Sequence, residues 1–143
     1  MALNQKIVEL MEVSAEDRDP NWLKESLQAA IEVEFFTIPP YLCAWWSIKD
    51  SNHPVYESIR EIVISEEMLH FGLMCNMLTG LGEVPKLNVR ANVPTYPNNL
   101  PGNISPELIV PLQGLSDESL DAFRAIEFPE NGSVVENDFM SAM

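Results

Sequence analysis

Two segments of this 143-residue chain, residues 23–49 and 55–81, carry apolar side chains at three- and four-residue steps. That spacing places the apolar side chains of each segment on one face of an α-helix. The turn sequence Ser51-Asn52-His53-Pro54 joins the two segments, so the predicted helices are antiparallel neighbours that pack through their apolar faces. We therefore predict an all-α fold, a single domain over residues 1–143, organised around one pair of long helices.

Both apolar faces contain residues that can ionise. Glu34 lies within the first apolar stripe, while Glu67 and His70 lie within the second, three positions and so one helical turn apart. Burying a carboxylate without a partner is costly, so we predict that these three side chains converge and bind a metal ion. Carboxylates with imidazole suit iron, manganese or zinc. The alternative is that His70 is a core histidine hydrogen-bonded to Glu34 or Glu67.

A phenol follows on the same predicted helix. Tyr41 is seven residues after Glu34, which is two turns or about 10 Å along the axis. As a candidate catalytic residue it would be a redox or hydrogen-bonding group beside the metal. The simpler interpretation makes Tyr41 a core aromatic, together with Trp45 and Trp46.

Pro39 and Pro40 interrupt this helix between the two residues of interest. Each proline removes a backbone donor and crowds the preceding turn. The helix therefore either kinks at the prolines or stops near Ile38 and begins again. If it stops, Glu34 and Tyr41 no longer share a face.

The remaining segments predict shorter elements. Residues 2–12 have the pattern of a short amphipathic helix, and Asp19 or Asn21 can cap the long helix that follows. Residues 83–115 hold six prolines and many hydrophobic side chains, which predicts an ordered, irregular segment that wraps the fold, with a helical turn over 106–110. Ser116 can cap a last short helix that ends before Pro129. Residues 131–143 have the pattern of a frayed tail.

Several side chains are expected to be structural. We predict that the methionines of the second helix fill the core, that His53 is solvated, and that the two cysteines are buried free thiols, as in a reducing compartment. The methionines and cysteines meant are Met68, Met74, Met77, Cys43 and Cys75.

Charge and hydropathy exclude some classes of protein. The net charge of −14 makes nucleic acid an unfavourable partner. No apolar run approaches the roughly 18 residues that span a membrane, and no basic region followed by an apolar block opens the chain. We therefore expect a cytoplasmic protein with no membrane partner.

The candidate ligands and their surroundings resemble a known family. Glu34, Tyr41 and Glu67-x-x-His70 resemble the first half of the di-metal motif of the ferritin-like superfamily. Residues 27–34, 37–42 and 66–70 are similar to the ferritin-like domain of iminophenylpyruvate dimer synthases, of the violacein and rebeccamycin pathway type. The resemblance covers about residues 20–130. It implies a ferritin-like helical bundle, a helix that continues through the prolines with a kink, a di-iron centre, and oxidoreductase or oxygen-activating chemistry.

One half of the family's motif is missing from this sequence. A complete ferritin-like domain has four helices and a second Glu plus Glu-x-x-His set, whereas Glu127, Glu130 and Glu136 have no histidine near them. We expect either a shortened form of a longer protein or a homodimer or higher homo-oligomer that completes a four-helix bundle. The alternative function is a non-enzymatic helical interaction or dimerisation module that has lost the metal. No residue in the sequence specifies the small-molecule substrate.

Overall fold

The structure, a computed structural model, describes residues 3–103 and 106–127. The helical elements are α1 (Leu3–Glu12), α2 (Pro20–Ser47), α3 (Pro54–Glu61), a π-helical turn (Ile62–Glu67), α4 (Met68–Gly80) and α5 (Asp117–Glu127). Short 3-10 turns occupy Ala15–Asp17, Arg90–Asn92 and Pro101–Asn103, and two-residue strands β1 (Asn98–Asn99) and β2 (Ile109–Val110) pair antiparallel. The predicted all-α architecture is confirmed.

Helix α2 is the central element and runs without a break from Pro20 to Ser47. The carboxylate of Asp19 accepts a hydrogen bond from the backbone N–H of Trp22 at 2.7 Å, so Asp19 is the cap of the two candidates considered. Because the helix does not stop near Ile38, the continuity implied by the family resemblance is confirmed. Glu34 and Tyr41 therefore belong to one helix.

The Pro-rich segment compensates for a backbone donor that α2 lacks. Pro40 has no N–H to donate to the carbonyl oxygen of Phe36, four residues earlier. The hydroxyl of Tyr96 donates to that oxygen instead, at 2.5 Å, and the Tyr96 ring packs against the Phe36 ring with 5.0 Å between centroids. The segment 83–115 thus satisfies a carbonyl that the proline would otherwise leave without a partner.

The second predicted helix, 55–81, is helical throughout but is not one regular α-helix. A π-helical turn of six residues separates α3 from α4. Two buried clusters connect this region to α2. In the first, Ile59 and Val63 pack with Tyr41 and Ala44 of α2 and with Phe123 of α5. In the second, Leu78 of α4 packs with Leu27 and Ile31 of α2. Early residues of α2 contact late residues of α4, and late residues of α2 contact α3, so the two chain directions are antiparallel, as predicted.

The helical turn predicted over 106–110 is wrong. Ile109 and Val110 are extended and pair with Asn99 and Asn98 in the small antiparallel ladder. Pro111 disfavours the helical conformation for the residue before it. The side-chain amide of Asn99 also donates to the carbonyl of Leu108 at 3.1 Å, so the local hydrogen bonds stabilise an extended chain.

The prediction of core positions is wrong for three large apolar side chains. Met68, Met77 and Trp46 are 42%, 55% and 70% exposed. Apolar periodicity alone cannot tell which side of a helix has a neighbour, and no described element covers these three. Met74 and Trp45 are half-buried, each packed against a core cluster.

Other local predictions can be compared directly. Cys43 and Cys75 are free and only half-buried. His53 is exposed, as predicted, and its Nδ1 accepts from the N–H of Val55 at 3.3 Å. Ser116 caps α5 by accepting from the N–H of Ser119 at 3.1 Å. Pro129 and the tail 131–143 lie outside the described residues.

No helix in the described part of the chain is both long and apolar enough to cross a membrane.

The repair of α2 by Tyr96 can be tested by a double-mutant cycle. Tyr96→Phe leaves the Phe36 carbonyl without its donor, so it should lower the free energy of unfolding by about 1–3 kcal/mol in urea titrations. Pro40→Ala restores an N–H that can donate to that carbonyl. The cost of Tyr96→Phe should therefore be much smaller in the Pro40→Ala background.

Tyr56→Phe is the matched control, because Tyr56 is also half-buried and packs on Trp45, and its hydroxyl forms no hydrogen bond with any residue that the structure describes. If Tyr96→Phe lowers the free energy of unfolding equally in wild type and in Pro40→Ala, the Tyr96 hydroxyl does not replace the hydrogen bond that Pro40 lacks.

Candidate metal site

Three elements bring the predicted ligands to one point. Glu34 lies on α2, Glu67 is the last residue of the π-helical turn, and His70 is in the first turn of α4. One ligand atom from each residue lies within 4.8 Å of the other two. The convergence of side chains predicted from the sequence is therefore present in the structure.

The π-helical turn decides which glutamate faces α2. A π turn carries one more residue per turn than an α-helix and so changes which side chains face inward. Glu67 is buried, with 8% of its surface exposed, while the neighbouring Glu66 is exposed. The hydroxyl of Thr37, on α2, donates a hydrogen bond to the Glu67 carboxylate. The inner glutamate is thus held in place from the opposite helix.

His70 stands at the edge of the site. Half of its side-chain surface is exposed, and its Nδ1 lies 3.8 Å from Oε1 of Glu34. That distance is too long for a hydrogen bond. The alternative of a core histidine hydrogen-bonded to Glu34 or Glu67 therefore does not describe the geometry of the residues present.

Burial makes ionisation of the two glutamates unfavourable. Desolvation raises the pKa of Glu34 to about 7, with further contributions from the nearby carboxylates of Glu67 and Glu127. Desolvation also raises the pKa of Glu67, and the hydrogen bond from Thr37 opposes that shift. A bound cation would favour the ionised form of both groups.

Tyr41 is fully buried and is directed to a different partner from the one expected. Its hydroxyl donates to Oε1 of Glu127 on α5 at 2.6 Å, and its ring lies 4.4 Å from the Phe123 ring centroid to centroid. Burial, and then this carboxylate, raise the pKa of the phenol well above its ordinary value. Tyr41 is therefore a neutral phenol that connects α2 to α5 beside the site.

Two polar residues of the site were not predicted. Thr37 is three residues after Glu34 and so shares its face of α2, which was the available signal. Glu127 was set aside because no histidine accompanies it. Its signal was its position four residues after Phe123, the residue that packs on Tyr41, which places it on the face of α5 nearest the site.

The residues present fit a divalent metal ion. Three ligand atoms bonded to one ion at about 2.1 Å are at most about 3.6 Å from one another, so side-chain adjustments on the order of 1 Å would bring the 4.8 Å cluster into range. Two carboxylates and an imidazole form a nitrogen and oxygen donor set of the kind that iron, manganese and zinc accept. Three protein ligands leave coordination positions open for other molecules.

Comparison with known proteins gives one result on family. The model of a family described as Ferritin-like matches residues 27–142, a span that includes all three candidate ligands. No curated protein and no solved structure gives a significant match.

The pKa of Glu34 predicts how stability depends on pH in chelator-treated protein. The folded state keeps the Glu34 proton up to about pH 7, whereas the unfolded chain releases it near 4.5. Stability is therefore lost as the pH rises through that window. Glu34→Gln cannot ionise, so its free energy of unfolding should increase relative to wild type across the window, by up to roughly 3 kcal/mol.

Urea titrations at a series of pH values measure this difference. Glu66→Gln, at the exposed neighbour of Glu67, controls for the loss of one negative charge. If the difference between Glu34→Gln and wild type does not change with pH, ionisation of this half-buried group has no such cost.

Proposed function

The protein belongs to the ferritin-like family, and we propose that it is a metal-binding member acting as a di-iron carboxylate oxidoreductase or oxygen-activating module. The observation that carries the proposal is the convergence of Glu34, Glu67 and His70 from two facing helices. Family membership over residues 27–142 supports a helical bundle whose interior holds metal, and iron is the metal we propose. Manganese or zinc would suit the same donors.

Electrostatics supports a cation at this point. Desolvation raises the pKa of both Glu34 and Glu67, the nearby Glu67 raises that of Glu34 further, and the carboxylate of Glu127 raises both. Among the described residues, no lysine or arginine forms an ion pair with these three carboxylates. A divalent ion would offset the repulsion and the desolvation together.

The chain's own residues divide the work in the proposed centre. Glu67 would bridge or ligate, because it is the innermost of the three and is oriented by the Thr37 hydroxyl. Glu34 and His70 would be terminal ligands. Tyr41 holds Glu127 in position and remains the candidate redox or hydrogen-bonding group. Bound iron supplies redox and Lewis-acid chemistry.

The resemblance of residues 27–34, 37–42 and 66–70 to the ferritin-like domain of iminophenylpyruvate dimer synthases is one of sequence motif alone, and we propose an oxidative role by analogy with it. The reaction of that pathway is not assigned to this chain, because no described residue specifies its substrate.

A second copy of the chain is the partner we propose for α4. Leu69, Leu73, Met77 and Leu81 recur every four residues and are all exposed, so they form an apolar stripe along one face of the helix. His70 is adjacent to this stripe. An isologous dimer through it would cover the apolar surface and bring a second set of ligands close to the first.

A specific observation also favours the alternative, a non-enzymatic interaction module. The same exposed stripe would serve an interface without any metal. The two functions differ in their response to chelation: an interaction module keeps its assembly and melting temperature, whereas a metal protein loses stability when the metal is removed.

Metal content tests the proposed function directly. Protein purified without chelator should contain iron, manganese or zinc by elemental analysis, and Glu67→Ala should abolish retention. Thr37→Val removes only the orienting hydrogen bond, so it should weaken metal binding by roughly 10–100-fold. Glu66→Ala is the matched control and should behave as wild type. Equal metal content in wild type and Glu67→Ala would refute the site.

Light scattering tests the proposed dimer. The wild type should have twice the mass of one chain, and Leu73→Asp should shift it to the monomer because a charge in an apolar interface is unfavourable. Val84→Asp, at an exposed residue outside α4, should leave the dimer intact. A wild-type monomer at high concentration would rule out self-association through this stripe.

A further inference from the structure

A cleft of about 450 Å³ lies between α1 and α2. Helix α1 provides none of the candidate metal ligands. Its walls are mainly apolar, and the principal side chains are Ile7, Leu10, Trp22, Ala29, Ala30 and Val33. A volume of this size, with apolar walls and few polar groups, is typical of a small-molecule site.

One end of the cleft carries a cation. Arg18 lines it, with its guanidinium carbon 4.7 Å from the centre of the Trp22 ring and its Nε donating to the carbonyl of Val13 at 3.2 Å. Arg18 forms no ion pair with any described residue, although acidic residues outnumber basic ones by 22 to eight. Its terminal nitrogens can therefore bind an anionic group from outside the chain.

The other end of the cleft reaches Glu34, one of the three candidate metal ligands. Twelve residues of α2 separate Trp22 from Glu34, which is about 18 Å along the helix axis. The cleft is therefore elongated, with a guanidinium at one end and the metal site at the other.

A buried polar atom lies along this path. The hydroxyl oxygen of Ser26, which also lines the cleft, is buried and has no hydrogen-bond partner among the described residues. Buried hydroxyls without partners are uncommon, and rotation about χ1 would let this one bond to a polar atom of an occupant.

We propose that this cleft binds an elongated carboxylic acid, with its carboxylate at Arg18 and its apolar end at Glu34, as the substrate class of the metal site. The assignment of the far end rests on the proposed function, whereas binding at Arg18 does not. A carboxylate matches the guanidinium, and an extended apolar body matches the length and the walls. A bulky compact molecule would leave one of the two ends unfilled.

Binding is tested on metal-free protein with decanoate, which displaces a fluorescent dansyl fatty acid. Arg18→Met should weaken decanoate by about tenfold or more, the loss expected for one charge-assisted pair. Decan-1-ol has the same chain without the charge, so its affinity should not change. Arg124→Met, at an exposed arginine of α5 that does not line the cleft, is the matched control and should bind decanoate as wild type.

Ala30→Phe tests the location by filling the middle of the cleft, and it should abolish binding of both ligands. If this variant does not fold, the Arg18→Met comparison still decides the proposal. Unchanged decanoate affinity in Arg18→Met, or an equal loss in Arg124→Met, would overturn it.

The orientation is tested with Mn²⁺ bound and NMR line widths of decanoate. The terminal methyl protons should broaden more than the protons beside the carboxylate, because the methyl end lies nearer Glu34. The reverse order would overturn the proposed orientation. Absence of Mn²⁺ binding, with the Arg18 effect intact, would refute the metal function while leaving the carboxylate site in place. Glu67→Ala should lose Mn²⁺ but keep its decanoate affinity.

Discussion

Two glutamate carboxylates meet between α2 and the π-helical turn, and their desolvation there is the unfavourable constraint on which the rest of the structure depends. Apolar clusters hold the two helices together on both sides of the pair, so the carboxylates cannot separate without loss of the core. Desolvation in this packing raises the pKa of both Glu34 and Glu67. Hydrophobic packing thus keeps two acidic groups in a position that their own electrostatics opposes, which is the usual condition of a functional site.

The same helix carries a second local defect that is compensated from a distance. Two consecutive prolines lie one to two turns after Glu34, and Tyr96 supplies a hydrogen bond that Pro40 cannot. The Pro-rich segment is therefore part of the structure that positions the site, although none of its residues is a candidate ligand. A loop of this length would otherwise be difficult to explain in a small domain.

How well the sequence predicts each feature depends on how far apart along the chain the interacting residues are. Glu34, Glu67 and His70 could be grouped because helical periodicity places charged residues within apolar stripes. The roles of Thr37 and Glu127 depend on contacts between elements that are 30 and 86 residues apart along the chain, and single-sequence patterns contain no such information. The exposure of Met77 and Trp46 was mispredicted for a related reason: an apolar face indicates that something can pack there, not that it does.

The π-helical turn separates the part of the second helical segment that packs in the core from the part that provides a candidate metal ligand. Ile59, before the turn, packs in the core cluster around Tyr41, whereas His70, a candidate ligand, lies after the turn in α4. If the same six residues formed an ordinary α-helix, everything downstream would rotate by about 100° relative to the anchored part. The direction of the His70 side chain relative to α3 is therefore set by the number of residues per helical turn in this π-helical segment. Replacing this π-helical turn by an α-helical one with the same number of residues would re-aim the imidazole while leaving the hydrophobic contacts of α3 unchanged.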